Sequence, residues 1–298
     1  MSPSAVDRPL WAGLTLALVG SIAFSGKAII VKLAYRHGVD AVTLIMYRML
    51  LALPFFLALA WWAGRGRAPL LRGDWLAIVG LGFSGYYLAS YLDFAGLAYI
   101  SAGLERLILY LNPTLVLGLG ALLLKKRVSA RQLASLAVSY VGVMVVFWHE
   151  ASVLGPDVVL GASLVFASAL SYALYLVYSG QVVQRLGALR LTGLASSVAC
   201  VFCIVQFLLL RPLAAALVAP EVLWLSLLNA TACTVAPVLM VMMAIERVGA
   251  AVSAQAGMVG PLATIAMGYL LLDEPFTPLM AAGTLLVLAG IWLLTRWR

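Results

Sequence analysis

Residues 102–124 read AGLERLILYLNPTLVLGLGALLL and end at Lys125-Lys126-Arg127. Residues 250–272 read AAVSAQAGMVGPLATIAMGYLLL and end at Asp273-Glu274-Pro275. Both stretches reach the ~20 apolar residues that carry an α-helix across a bilayer. They align without a gap: Pro113 on Pro261, Gly120 on Gly268, and Leu122–Leu124 on Leu270–Leu272. The loops that follow carry opposite charge. A duplicated helical unit leaves this pattern when its second copy enters the membrane from the other face.

The same offset of 148 residues continues outward, setting Gly13 on Gly161 and Gly142 on Gly290. It also places the basic connection Arg65–Arg72 on a segment around Leu213–Pro220 that has no Lys or Arg. The composition fits a polytopic membrane protein. Of the 298 residues 64% are hydrophobic and 10% charged, against about 45–50% and 25% in soluble domains, and the mean hydropathy is +1.08. Apolar runs predict ten spans, at about 10–35, 41–63, 75–97, 102–124, 129–148, 158–180, 190–211, 221–245, 250–272 and 277–296. The fold expected is therefore all-α and integral to the membrane, a 5+5 inverted-topology repeat around a central cavity. Residues 1–148 form the first unit and 149–298 the second. Barrel strands would alternate polar and apolar residues, and Leu115–Leu124 does not.

Basic residues gather on the cytoplasmic side of short loops. One side of this topology holds Arg8, Arg65, Arg67, Arg72, Lys125, Lys126, Arg127, Arg131, Arg185, Arg190, Arg247, Arg296 and Arg298. The other keeps mainly Lys32, Arg36 and Arg211 beside Glu150, Asp157, Glu221, Asp273 and Glu274. Both termini are thus expected in the cytoplasm. The net charge of +8 suits anionic headgroups. Because the basic residues cap helices and form no groove-sized patch, nucleic acid is not an expected partner. Cys200, Cys203 and Cys233 lie in apolar runs, and His37 and His149 lie near span ends. No metal site or cofactor is expected. Gly118-Leu-Gly120 lacks the preceding strand and the following Lys-Ser/Thr of a phosphate loop. The partners expected are a small-molecule substrate and lipid, and the chain is expected to act as a monomer.

The sequence Ala102-Gly103, Asn112-Pro113, Leu122–Leu124 and a charged loop, repeated as Ala250-Ala251, Gly260-Pro261, Leu270–Leu272 and Asp273-Glu274-Pro275, resembles the EamA unit of the drug/metabolite transporter superfamily. Arg48, within Thr43–Ala52, matches that family's Arg-Phe-x-x-Ala helix; the second copy has Ser196 there. Lys126 departs from the family's usual Glu. The resemblance covers nearly the whole chain and implies a ten-helix exporter of small metabolites in a bacterial inner membrane, YddG-like amino-acid exporters being one branch. The function expected is secondary export by alternating access, most readily of amino acids, aromatic ones included. Multidrug or organic-cation efflux is the alternative, and a membrane-embedded enzyme or a non-transporting scaffold represent other classes. No catalytic residue is expected.

Ionisable residues inside spans are costly and mark candidate sites. Lys27, Arg48, Asp93, Glu105 and Arg106 all fall in the outer half of their spans by helical rise. Arg48, Glu105 and Arg106 are expected to form ion pairs. A Lys27–Asp93 pair between spans one and three would suit the carboxylate and ammonium of a zwitterion. Aromatic walls are expected from Phe24, Tyr86, Tyr87, Tyr91, Tyr172 and Tyr175. The offset sets Phe24 on Tyr172, Lys27 on Tyr175 and Tyr86 on Thr234. Polar groups near the matched prolines, Tyr110, Asn112, Ser253 and Gln255, complete the expected substrate site. Pro113, Pro261 and Pro237 are expected hinges, because proline inside a helix frees a carbonyl.

Overall fold

The computed structural model describes residues 10–125 and 128–296, apart from the side chains of residues 10, 124, 181, 242, 245, 246, 249–252, 254, 255 and 295. Arg8, Lys126, Arg127 and Arg298, assigned above to the basic face, lie outside the described residues. The described chain is helical. α1 (Leu10–Tyr35) and α2 (Ala41–Gly64) are followed by α3 (Arg72–Leu81), which passes through a π-helical turn (Gly82–Leu88) into α4 (Ala89–Gly96). Next come α5 (Ala102–Leu109), α6 (Asn112–Leu124), α7 (Ala130–Leu154), α8 (Asp157–Leu186) and α9 (Ala188–Leu210). A second π-turn (Thr231–Val235) joins α10 (Pro220–Ala230) to α11 (Ala236–Gly257); α12 (Gly260–Leu272) and α13 (Pro278–Arg296) end the fold.

Among the described residues, eight helical stretches are long and apolar enough to cross a bilayer, while Gly260–Leu272 and Pro278–Leu294 are shorter. The expected boundary near residue 250 is the point of difference, because helical turns continue past it to Gly257 and no extended linker separates them. Its neighbours nevertheless reverse direction along α1. Cβ atoms added to Gly26, Gly20 and Gly13 would meet Cys233, Met240 and Val248 in turn, so this stretch descends along α1. One added to Gly257 would lie 3.6 Å from Ser21 Oγ, and one on Gly260 would lie 3.2 Å from Ser25 Oγ, so the chain then climbs back. The return falls between Val248 and Gly257.

Backbone irregularities recur at the offset read from the sequence. The π-turns at Gly82–Leu88 and Thr231–Val235 correspond, as do the breaks between α5 and α6 and between α11 and α12. Lys125 and Asp273, the matched residues that end α6 and α12, both adopt left-handed conformations. Pro113 and Pro261 occupy the first turns of α6 and α12, where the missing N–H costs nothing. Each stands where a helix restarts, so the interruptions expected at these two prolines fall just before them. Pro237 follows the second π-turn directly.

The halves interlock. α1 packs on α11 and α8 packs on α4, so the first helix of each half lies against the third span of the other. α7 pairs with α13 through small residues. A Cβ on Gly142 would lie 2.6 Å from Gly283 O, and one on Gly290 would lie 2.8 Å from Ser135 O. Small residues let membrane helices approach closely, where packing takes the place of hydrophobic drive. Burial is uneven along the fold: residues 25–31 of α1 and 102–108 of α5 are buried on every side, whereas Trp11, Thr15, Leu18, Val19 and Ile22 are exposed.

Candidate functional site

The fully enclosed α5 carries the centre of the site. Its sequence AGLERLIL puts Glu105 and Arg106 on a helix with no lipid-facing side, so both must find partners in protein. Glu105 is 0% exposed, Asp93 2%, Arg106 4% and Lys27 7%. Lys27 Nζ lies 2.5 Å from Asp93 Oδ2 and 3.7 Å from Glu105 Oε1. Arg106 Nε lies 3.8 Å from Glu105 Oε2. It donates at 3.0 Å to Thr264 Oγ1 on α12, and Arg106 Nη2 donates to the carbonyls of Phe24 and Ser25, each at 3.3 Å. Three helices of the first half and one of the second therefore meet on one buried cluster.

Arg48 stands beside this cluster and makes no ion pair within 4.0 Å among the described residues. Its Nε donates to Thr234 Oγ1 at 3.1 Å, its guanidinium stacks on Phe94 at 5.2 Å, and Nη1 is buried without a partner. The second π-turn makes this bond possible. Widening the helix frees Thr234 to bond Asn229 O at 2.8 Å while presenting the same hydroxyl to Arg48.

The remaining expected residues divide into groups. Phe24, 40% exposed, offers its ring to Lys27 and Arg106, each at 5.8 Å. Tyr110 donates its hydroxyl to Gly257 O, and Ser25 donates to Gly260 O at 3.0 Å, tying the second helix break to the cluster. Asn112 donates to Leu109 O at 2.7 Å while its Oδ1 lacks a partner. Ser253 is buried, and the side chain of Gln255 lies outside the described residues. The tyrosines fall into separate places. Tyr86 and Tyr175 share a hydroxyl contact of 3.1 Å, and Tyr172 stacks on Tyr175 at 5.5 Å, in a core with Ile78, Leu81 and Leu191. Tyr87 meets Phe83 and Phe202, each at 5.4 Å, and Tyr91 packs near Phe207. An apolar cleft of about 230 Å³ between α2 and α11 lies beyond the Arg48–Thr234 bond, lined by Phe55, Phe56, Trp62, Val235 and Leu239.

Above the cluster, acidic groups cap α5. Glu150 accepts from Ser101 N at 3.1 Å and from Ser101 Oγ, and Glu274 accepts from Ala102 N at 2.9 Å. Carboxylates suit the amide end of a helix. Lys32 joins them, 3.4 Å from Glu274 and donating to Ile100 O at 2.7 Å. Arg36 reaches Leu272 O at 2.9 Å, and Arg211 lies 3.2 Å from Asp40. Burial pushes the Asp40 carboxyl up, but the hydroxyl and amide of Thr43, the Arg211 guanidinium and the Val42 amide together hold it below the usual carboxylate range. Reading one helix at a time left Thr264, Ser25 and Glu274 out of the site, because each acts across more than a hundred residues of chain.

The sequence profile described as "EamA-like transporter family" matches residues 11–148 and again 159–296, at the offset of the internal repeat. Relatives include "Uncharacterized transporter YcbK" of Bacillus subtilis, 31% identical over 275 residues and covering 90% of this chain and 87% of that one. Another is an "Uncharacterized transporter" of Archaeoglobus fulgidus, 25% identical over 284 residues, with 95% and 96% covered. A solved structure titled "Crystal structure of protein" superposes with a TM-score of 0.65 at 16% identity over 96% of this chain and 97% of its own, a likeness of fold alone.

Proposed function

This chain belongs to the EamA-like transporter family, and we propose that within it the protein is a secondary exporter of amino acids, aromatic ones included. Ten spans in a 5+5 inverted repeat, with both termini in the cytoplasm of a bacterial inner membrane, are part of this reading. The two short helices α12 and α13 and the return of the chain between Val248 and Gly257 support ten crossings. Alternating access would come from one half rocking against the other, with the protein working as a monomer on a small solute.

The observation that carries the proposal is the buried cluster of mixed charge where the halves meet. Lys27, Asp93, Glu105 and Arg106 come from the first half, and Thr264 from the second. Opposite charges held apart from water at such a junction suit a zwitterion, whose two ends could each replace one partner of an existing pair. The ring of Phe24 beside them provides an apolar and aromatic wall. Counterflow in proteoliposomes with a panel of radiolabelled amino acids is the test. Accumulation of aromatic amino acids that is lost in the double variant Lys27→Ala/Asp93→Ala supports the reading. If wild-type protein exchanges organic cations and no amino acid, the substrate class is wrong.

A further inference from the structure

Three oxygens of the central cluster are buried without a hydrogen-bond donor: Asp93 Oδ1, Glu105 Oε1 and Glu105 Oε2. An unpaired buried acceptor is expensive, and more so when ionised. Three of them on facing carboxyl groups mark a missing hydrogen. The hydrogen bonds that the neighbours make are directed elsewhere. Lys27 directs its close contact to Asp93 Oδ2, and Arg106 gives Nε to Thr264 and Nη2 to two carbonyls. Arg48, on α2, bonds Thr234 and reaches Asp93 only through its field. Tyr35, on α1, donates at 2.5 Å to Phe94 O. Thr264 points its hydroxyl at Gly260 O, 3.2 Å away. The Asp93 and Glu105 carboxyl groups, however, both face Lys27 Nζ, at 2.5 and 3.7 Å. A proton on either one converts an acceptor into a donor to its neighbour.

We propose that Asp93 and Glu105 together bind one exchangeable proton. The proton comes from water and adds to one carboxylate oxygen, with no bond to carbon changed. Ionised, the cluster sets the three cations Lys27, Arg48 and Arg106 against two carboxylates; protonated, it sets them against one. Two carboxylates that share one ammonium in a dry site repel each other, and one proton held between them relieves that repulsion against the pull of the cations, which is the logic of coupled carboxyl pairs. Proton uptake also loosens the hold of Asp93 on Lys27. Lys27 sits on α1, the helix packed against α11 and α12 of the other half. If the transporter reading above holds, on which this step rests, the shared proton is the ion coupled to transport.

Infrared difference spectra of the full chain in lipid nanodiscs, recorded across a pH series without any solute, read the proton directly. Wild type is expected to gain one protonated-carboxyl band on acidification and to release one proton per chain more than Glu105→Gln on the return jump, counted with a pH dye. Glu105→Gln and Asp93→Asn should each remove the whole band. Glu105→Asp should restore it at a shifted frequency, and Glu150→Gln, outside the cluster, should leave it in place. A wild type with no such band or no such excess of protons overturns the proposal, as do two bands that each vanish in only one variant. The band is read in wild type alone and so decides the matter even if a substitution misfolds. In a second arm, efflux of radiolabelled phenylalanine from proteoliposomes should respond to an imposed pH gradient in wild type and ignore it in Glu105→Gln. Failure of wild type to move phenylalanine counts against the amino-acid reading alone, because the band and the count are measured without it.

Discussion

The two halves of the chain share a backbone but not a charge pattern. The π-turns, the paired helix breaks and the left-handed residues Lys125 and Asp273 all recur at one offset. The five charges of the central site do not. Lys27, Arg48, Asp93, Glu105 and Arg106 correspond to Tyr175, Ser196, Val241, Ser253 and Ala254. Duplication thus set the architecture, and later divergence left the five charges of the central site in one half while the other answered two of them with hydroxyls, Thr234 for Arg48 and Thr264 for Arg106. Such asymmetry gives a pseudo-symmetric scaffold one site instead of two competing ones.

That comparison breaks most visibly at the charges. Lys27→Met leaves two buried carboxylates facing each other and should destabilise the protein by about 3–5 kcal/mol. SDS unfolding in mixed micelles measures it. Adding Asp93→Asn should recover most of the loss, whereas Tyr175→Phe at the matched position removes one hydroxyl contact and should cost under ~1 kcal/mol. Equal damage at Lys27 and Tyr175 would mean that the charges carry no special burden.

The shared backbone predicts the opposite, equal effects at matched positions. Gly142→Val and Gly290→Val each drive a side chain into backbone of the partner helix and should each lose ~1–3 kcal/mol by overpacking, within error of one another. Thr234→Val should cost ~1–2 kcal/mol, the upper range for a membrane hydrogen bond, because Arg48 loses its donor bond. Its counterpart Tyr86→Phe should cost less, since that contact is between neutral hydroxyls. The smallest difference lies at the caps. Ser129 accepts from Gln132 N, and Thr277 accepts from Met280 N. Ser129→Ala should cost about 1 kcal/mol, and Thr277→Ala slightly less, because only Gln132 returns a bond to its cap.

Much of this was legible in the sequence for a simple reason: apolar length and a fixed offset survive divergence. The spans, the inverted loop charges and the matched prolines could be read one helix at a time. The depths of Lys27 and Asp93 along their helices already suggested a pair, and the two side chains meet at 2.5 Å. The π-turns were not legible, since no residue period announces an i→i+5 turn. Nor was the placement of Arg48, whose partner is a threonine 186 residues away. The grouping of the tyrosines was legible only in part: Tyr86, Tyr172 and Tyr175 meet in a core of their own, while inter-helix packing sets Tyr87 and Tyr91 elsewhere. The chain's return near residue 250 was expected from hydropathy, while the helix itself runs on to Gly257.

The account stands on two copies of one helical unit set in opposite senses across the bilayer. Lys125→Cys and Asp273→Cys place a thiol at the matched ends of α6 and α12, and the native cysteines are buried. Intact cells treated with a membrane-impermeant maleimide should label the Asp273→Cys protein and leave Lys125→Cys unlabelled until the membrane is opened. Labelling of both from the same side would contradict it.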